Sequence, residues 1–190
     1  MANTVRTEGG LIDELREEII DGKVVMMSPA NTNHHRVSRN IARFFGNYLE
    51  GKTCEVFIEG PTVHLSEDNQ FIPDVYIVCD PDKVKDKVYG GPDLVIEVLS
   101  PSTTKNDRGR KKEIYEQYGV KEYWIISVLE RSVEVYQLED GVLKLNNVFF
   151  TPESLRLVRD RDEQLATEFR CSLFPDLPIP MEMIFRGVTR

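Results

Sequence analysis

The run Asp93-Leu-Val-Ile-Glu-Val-Leu-Ser100 is apolar at nearly every position and is bounded by Pro92 and Pro101. That pattern predicts a short strand buried on both faces, an interior strand rather than an edge. Upstream, residues 11–20 fit either a short helix or the start of a strand. Asp21-Gly22 is a hairpin signal leading into Lys23-Val-Val-Met-Met-Ser-Pro29, and a hairpin at the end of a short helix is the favoured reading. Val37, Ile41, Phe44, Phe45 and Tyr48 recur at spacings of three and four, which predicts an amphipathic helix over 35–48 that stops near Gly51. Residues 54–59, 62–65 and 71–80 are strand-like, with Gly60-Pro61 dividing the first two, and 81–92 is charged and turn-rich.

After the central strand, Thr103 or Thr104 can cap a helix running to about Tyr118. Ile114, Tyr115 and Tyr118 form its core stripe, and Gly119 stands where a left-handed C-cap is usual. Glu122-Tyr-Trp-Ile-Ile-Ser-Val128 predicts a second buried strand. A strand, a helix and a strand in succession form a parallel crossover unit. Residues 133–137 and 142–145 predict a meander joined at Asp140-Gly141, and 168–173 alternates before a proline-rich end at 175–180. The expected architecture is an α/β mixed sheet flanked by helices, with no internal repeat.

Composition narrows the class. A chain of 190 residues, 41% hydrophobic and 29% charged, suits one globular domain. No apolar run approaches the roughly 18 residues of a membrane helix, and the N-terminus lacks the build of a signal peptide, so a soluble, cytoplasmic protein is expected. Cys54, Cys79 and Cys171 are scattered without metal-site spacing and are expected to pack as unbonded small hydrophobes in a reducing compartment. With 24 basic against 32 acidic residues, net -8, the surface as a whole does not suit a polyanion. Any nucleic-acid contact is local, and the one dense basic cluster is Lys105, Arg108, Arg110, Lys111 and Lys112.

Glu97 is the chemical anomaly. A carboxylate inside a buried strand needs a partner or a metal, and its own strand provides neither. Asp74, beside Pro73, lies in the preceding strand-like segment. If the two strands are neighbours, both acids converge at one sheet end, where hard oxygen ligands suit Mg²⁺ or Mn²⁺ and the backbone carbonyl of Val98 could be a third ligand. Plainer readings stand beside this one. Asp74 could form an Asx turn, and Glu97 could be a structural ion pair with Lys111 or Arg108. Glu18 could be an ordinary surface acid. His34 and His35, with only His64 besides, are read as helix-start packing or capping, and Tyr123 and Trp124 as core.

The succession Pro73-Asp74, Glu97-Val-Leu-Ser-Pro-Ser-Thr103, Asp107-Arg-Gly-Arg-Lys111, Tyr115 and Gly119-Val-Lys-Glu-Tyr-Trp124 resembles the Uma-two family of endonucleases. That family lies within the PD-(D/E)XK, restriction-endonuclease-like superfamily. The resemblance spans roughly residues 15–137 and takes in Glu18-Ile-Ile-Asp-Gly22, Ser28-Pro29 and His35 near the front. It implies a core of helix, three strands, helix and strand, with accessory strands beyond. It also implies metal-assisted hydrolysis of DNA phosphodiester bonds, with Asp74 and Glu97 as metal ligands and Glu18 completing the acidic site. The superfamily's lysine two residues after the second acid is absent, because Leu99 stands there. Lys111 matches the position on the following helix that the family uses, with Lys112 as the fallback, about 100° away around the helix. Lys105, Arg108 and Lys112 are the expected nucleic-acid contacts, and a homodimer is expected by analogy with enzymes that cut both strands. A non-catalytic module of the same fold, binding nucleic acid or a protein partner through helix 105–118, and a hydrolase of smaller phosphoesters are the competing readings.

Overall fold

The computed structural model describes residues 16–27, 30–100, 103–155 and 167–189. Its elements in chain order begin with β1 (Glu17–Ile20), β2 (Lys23–Met26), α1 (Thr32–Leu49), β3 (Glu55–Ile58), β4 (Val63–Ser66), β5 (Asn69–Phe71), β6 (Val75–Val78) and β7 (Val88–Tyr89). They continue with β8 (Leu94–Val98), α2 (Thr104–Arg108), α3 (Arg110–Gln117), β9 (Glu122–Ser127), β10 (Ser132–Glu139), β11 (Val142–Phe150), α4 (Pro152–Leu155), β12 (Glu168–Cys171), β13 (Phe174–Pro180) and α5 (Met181–Ile184).

The central sheet has the order β11-β10-β9-β8-β6-β3. Only β8 and β9 are parallel, joined by the α2–α3 crossover, and β6 and β8 pair antiparallel. All five residues of β8 are buried, as its apolar run requires. Strand alternation splits this sheet between two cores. Val75, Ile77, Leu94, Ile96 and Val98 pack with α1, α5 and the β12–β13 hairpin. Tyr76, Val78 and Val95 pack with Ile114 and Tyr115 of α3 and with Ile20, Val63 and Phe71 of a second sheet of order β2-β1-β5-β4-β7. Glu97 therefore falls on the α3 side.

Several expectations need correction. Residues 17–20 are a strand, paired through Ile19 with Gln70 of β5, rather than the end of a helix; residues 11–15 lie outside the described residues. Alternation explains this, because Glu18 and Ile20 turn inward while Glu17 faces out. The hairpin at Asp21-Gly22 is present, with both residues at positive φ. Residues 71–80 are two strands in two sheets, and the chain crosses between sheets at Ile72-Pro73-Asp74. The expected single helix breaks at Gly109, whose ψ of -107° leaves the helical region. Neither threonine caps by its side chain as expected, because Thr103 and Thr104 are engaged with Ser100 instead.

Cys54 and Cys79 form a disulfide, overturning the unbonded reading. Glu55 pairs with Val78 in the antiparallel β3–β6 ladder, so the flanking cysteines are brought face to face. Cys171 alone is a free, buried thiol. The proline-rich end is itself a strand, β13, whose only ladder partner among the described residues is β12, an arrangement that tolerates missing N–H groups. No helix among the described residues is long and apolar enough to cross a membrane.

Candidate active site

The crossing between the two sheets sets the site. Asp74 ends the link from β5 to β6, and its Oδ2 accepts the Val98 N–H of neighbouring β8 at 2.7 Å. The Asp74 N–H in turn donates to Glu97 Oε2 at 3.4 Å. Asp74 Oδ1 lies 2.7 Å from His34 Nε2, at the first turn of α1. The two acids thus converge from adjacent strands, each tied to the backbone of the other's strand.

Lys111 comes from α3 on the opposite side. Its side chain is 3% exposed, and Nζ lies 2.7 Å from Glu97 Oε1, 3.1 Å from Glu18 Oε1 and 3.5 Å from Asp107 Oδ1. Asp107 is one turn earlier, the spacing that lets two helical side chains meet. Glu18 Oε1 also accepts the Ile72 N–H at 2.9 Å, which fastens β1 to the sheet crossing. The Tyr115 hydroxyl donates to Glu97 Oε1 at 3.1 Å, one turn beyond Lys111.

Four buried carboxylates, Glu18, Asp74, Glu97 and Asp107, thus share one ammonium and one imidazole. Burial pushes the Glu97 carboxyl well above its usual range, and Lys111 offsets only part of this. Asp107 is raised for the same reason, against the opposing pull of Lys111 and a hydrogen bond from Thr103. Burial alone would strip the proton from Lys111, but Glu18 and Glu97 hold its pKa well above the ordinary value, so it stays charged. At His34 burial also opposes the charge, yet the hydrogen bond and charge of Asp74 prevail and raise its pKa. The cluster holds more carboxylates than cations. Asp107 Oδ1 and His34 Nδ1 are buried without a hydrogen-bond partner.

Hard oxygens in excess of positive charge fit Mg²⁺ or Mn²⁺. Among the described residues no three His, Cys, Asp or Glu side chains are grouped to hold a metal. Asp74 and Glu97 are the two carboxylates that the adjacent strands bring together.

Asp74, Glu97, Glu18 and Lys111, singled out in the sequence, are brought together. Lys112 turns away, its Nζ donating to the Leu143 carbonyl at 3.2 Å and lying over the Tyr136 ring. Arg108 pairs with Glu134, Arg110 with Asp21 and Glu113, and Lys105 stays exposed. The dense basic cluster is thus mostly neutralised. His34, read as helix-start packing or capping, and Asp107, noted only within the family motif, join the cluster. The signal for His34 was its place on the buried stripe of α1 with Val37, Ser38 and Ile41; the signal for Asp107 was its four-residue spacing from Lys111. His35, by contrast, faces outward and bonds Glu59 at 2.7 Å. Tyr123 and Trp124 are fully buried core, as expected.

Three comparisons bear on this arrangement. The model of the family Uma2, described as "Putative restriction endonuclease", matches residues 11–166. Two uncharacterized proteins of Synechocystis are similar. One is 31% identical over 128 residues, covering 66% of this chain and 67% of that protein. The other is 28% identical over 127 residues, covering 64% and 72%. Among solved structures, "a putative nuclease belonging to DUF820" from Anabaena variabilis superposes with a TM-score of 0.74 at 16% identity, over 93% of both chains. That likeness establishes a restriction-endonuclease-like fold.

Proposed function

This chain belongs to the Uma2 family, and from that premise we propose that it is a divalent-metal-dependent nuclease hydrolysing DNA phosphodiester bonds. The observation that carries the proposal is the buried Glu97–Lys111 contact of 2.7 Å beside Asp74, in a cluster with more acids than cations. The family description and the nuclease named in the Anabaena structure support phosphodiester hydrolysis over other chemistry.

Asp74, Glu97 and the backbone carbonyl of Val98 would hold one Mg²⁺ or Mn²⁺. When bound, such an ion supplies positive charge to the phosphate and lowers the pKa of a water. The chain's own residues do the rest. Lys111 keeps its proton and places an ammonium beside Glu97, where it stabilises negative charge developing on the phosphate. Glu18 fixes Lys111 from β1, and Tyr115 orients the Glu97 carboxylate. His34 and the Val98 N–H fix the two oxygens of Asp74, the partnering that sets a ligand's orientation.

The test is Mn²⁺ binding by calorimetry to the wild type and to Glu97→Gln, with nicking of supercoiled plasmid as the activity readout. Saturable binding and nicking, both lost in the variant, are expected. A wild type that binds no Mn²⁺ at millimolar concentration would overturn the metal site and leave Glu97–Lys111 as a structural ion pair.

A further inference from the structure

Helix α1 is chemically unlike the rest of the molecule. In a chain with 32 acidic residues, its 18 residues contain no Asp or Glu and three arginines, Arg36, Arg39 and Arg43. At 100° per residue these three fall within an arc of about 60°. The opposite face is the buried stripe of Val37, Ile41, Phe45 and Leu49, so the arc is the helix's outermost line. A charged outer face is ordinary; one of a single sign, without acids between its members, is not.

The arginines are also uncommitted. Arg39 and Arg43 make no hydrogen bond or ion pair to any described residue, and Arg36 bonds only the neutral amide of Asn33, at 2.9 Å. Glu59 is held by His35 and Arg16, and Glu50 lies beyond the C-terminal end of the helix. Arg186, another exposed residue, is brought alongside because its carbonyl accepts from Asn40 of α1 at 2.9 Å. The basic helix after β8, in contrast, has its guanidinium groups and Lys111 paired with carboxylates.

One residue of α1 reaches the acidic site, but from the buried face, about 140–180° around the helix from the three arginines. His34, which bonds Asp74, is in the first turn of α1. With a rise of 1.5 Å per residue, Arg36, Arg39 and Arg43 follow about 3, 7.5 and 13.5 Å further along the axis. We propose that the outer face of α1 is a track that takes the phosphate backbone of duplex DNA. The charge of the stripe complements phosphate, and guanidinium groups suit phosphate oxygens in particular. This rests on the nuclease reading above and identifies where its substrate would be gripped.

The experiment measures fluorescence anisotropy of a short labelled duplex in EDTA, where no metal-dependent hydrolysis occurs, across salt from about 50 to 200 mM. Three proteins are compared: wild type, R39Q/R43Q and R39K/R43K, each checked for an unchanged circular-dichroism melt. Losing two phosphate contacts should flatten the slope of log affinity against log salt by about 1.8, or 0.9 for each contact. The lysine pair should restore that slope, which a merely structural role for the arginines would not require. If the wild type binds DNA and nicks plasmid with Mn²⁺ while R39Q/R43Q keeps the full slope, the track is wrong and the nuclease reading stands. If the wild type neither binds nor nicks, both fall.

Discussion

Lys111 is a full charge with almost no exposure, held by Glu97, Glu18 and Asp107 on three different elements. Removing a buried charge from such a cluster leaves its partners unneutralised. Lys111→Met should therefore lower the unfolding free energy by about 3–5 kcal/mol in urea titrations. On the metal-site reading, Mn²⁺ should raise the stability of this variant more than that of the wild type, because the ion then meets uncompensated carboxylates. The pH dependence follows from the same cluster. Glu97 and Asp107 have folded-state pKa values raised above their ordinary 4.5 and 3.8, chiefly by burial. The folded state thus binds more protons than the unfolded chain above those values, and stability falls as pH rises from them through the folded pKa. The groups facing Glu97 are Glu18, Asp74, Asp107, Lys111, Tyr115 and Tyr123; Lys111 opposes the shift, and the charges of Asp107, Asp74 and Glu18 add to it. In EDTA the melting temperature should decline from mildly acidic towards alkaline pH; a rise through that window would contradict the assignment.

At the scale of elements, the turn before β8 is fixed by close approach. A Cβ on Gly91 would lie 2.3 Å from the Tyr118 carbonyl oxygen, which is backbone at the end of α3 and has no flexible side chain to move aside. Gly91→Ala should cost about 1–3 kcal/mol through forced displacement of that helix end. A melt unchanged from wild type would show that the α3–β8 contact is loose. These elements also show how legible the chain was. The α1 stripe, the Asp21-Gly22 and Asp140-Gly141 hairpins and the buried β8 each follow from local periodicity or turn chemistry, and each is present. The split of 71–80 into β5 and β6 and the break at Gly109 did not follow, and for 17–20 the sequence left helix and strand open. Each depends on which sheet or helix the segment meets, and a short window of residues does not contain its partner. The Cys54–Cys79 bond belongs with these, because only the β3–β6 register opposes the two residues.

Across the whole molecule, the C-terminal hairpin is part of the core. Phe169, Cys171 and Ile179 close the α1 side of the central sheet. Glu122, fully buried at the start of β9, holds that hairpin in place by accepting the Ser172 N–H at 2.8 Å while also accepting Trp124 Nε1 at 2.6 Å. Glu122→Met would orphan both donors, at about 1–3 kcal/mol each. The expected outcome is a lower melting temperature together with faster amide exchange over residues 168–180; protection there equal to wild type would mean the hairpin docks without Glu122.

The amino-acid sequence by itself determined the alternation of buried strands and amphipathic helix, the anomaly of a carboxylate at position 97, and the family resemblance that drew Asp74, Glu18 and Lys111 towards it. Those features are local, because hydrophobic period and turn chemistry act over a few residues. Only the tertiary structure decided that Lys111 rather than Lys112 meets Glu97, that His34 and Asp107 join the cluster, and that the basic run after β8 is spent on internal pairs. Charge pairing is settled by distances of a few ångström between residues far apart in the chain, such as the 93 positions separating Glu18 from Lys111. No spacing along the sequence encodes such a distance until the sheets and helices have packed.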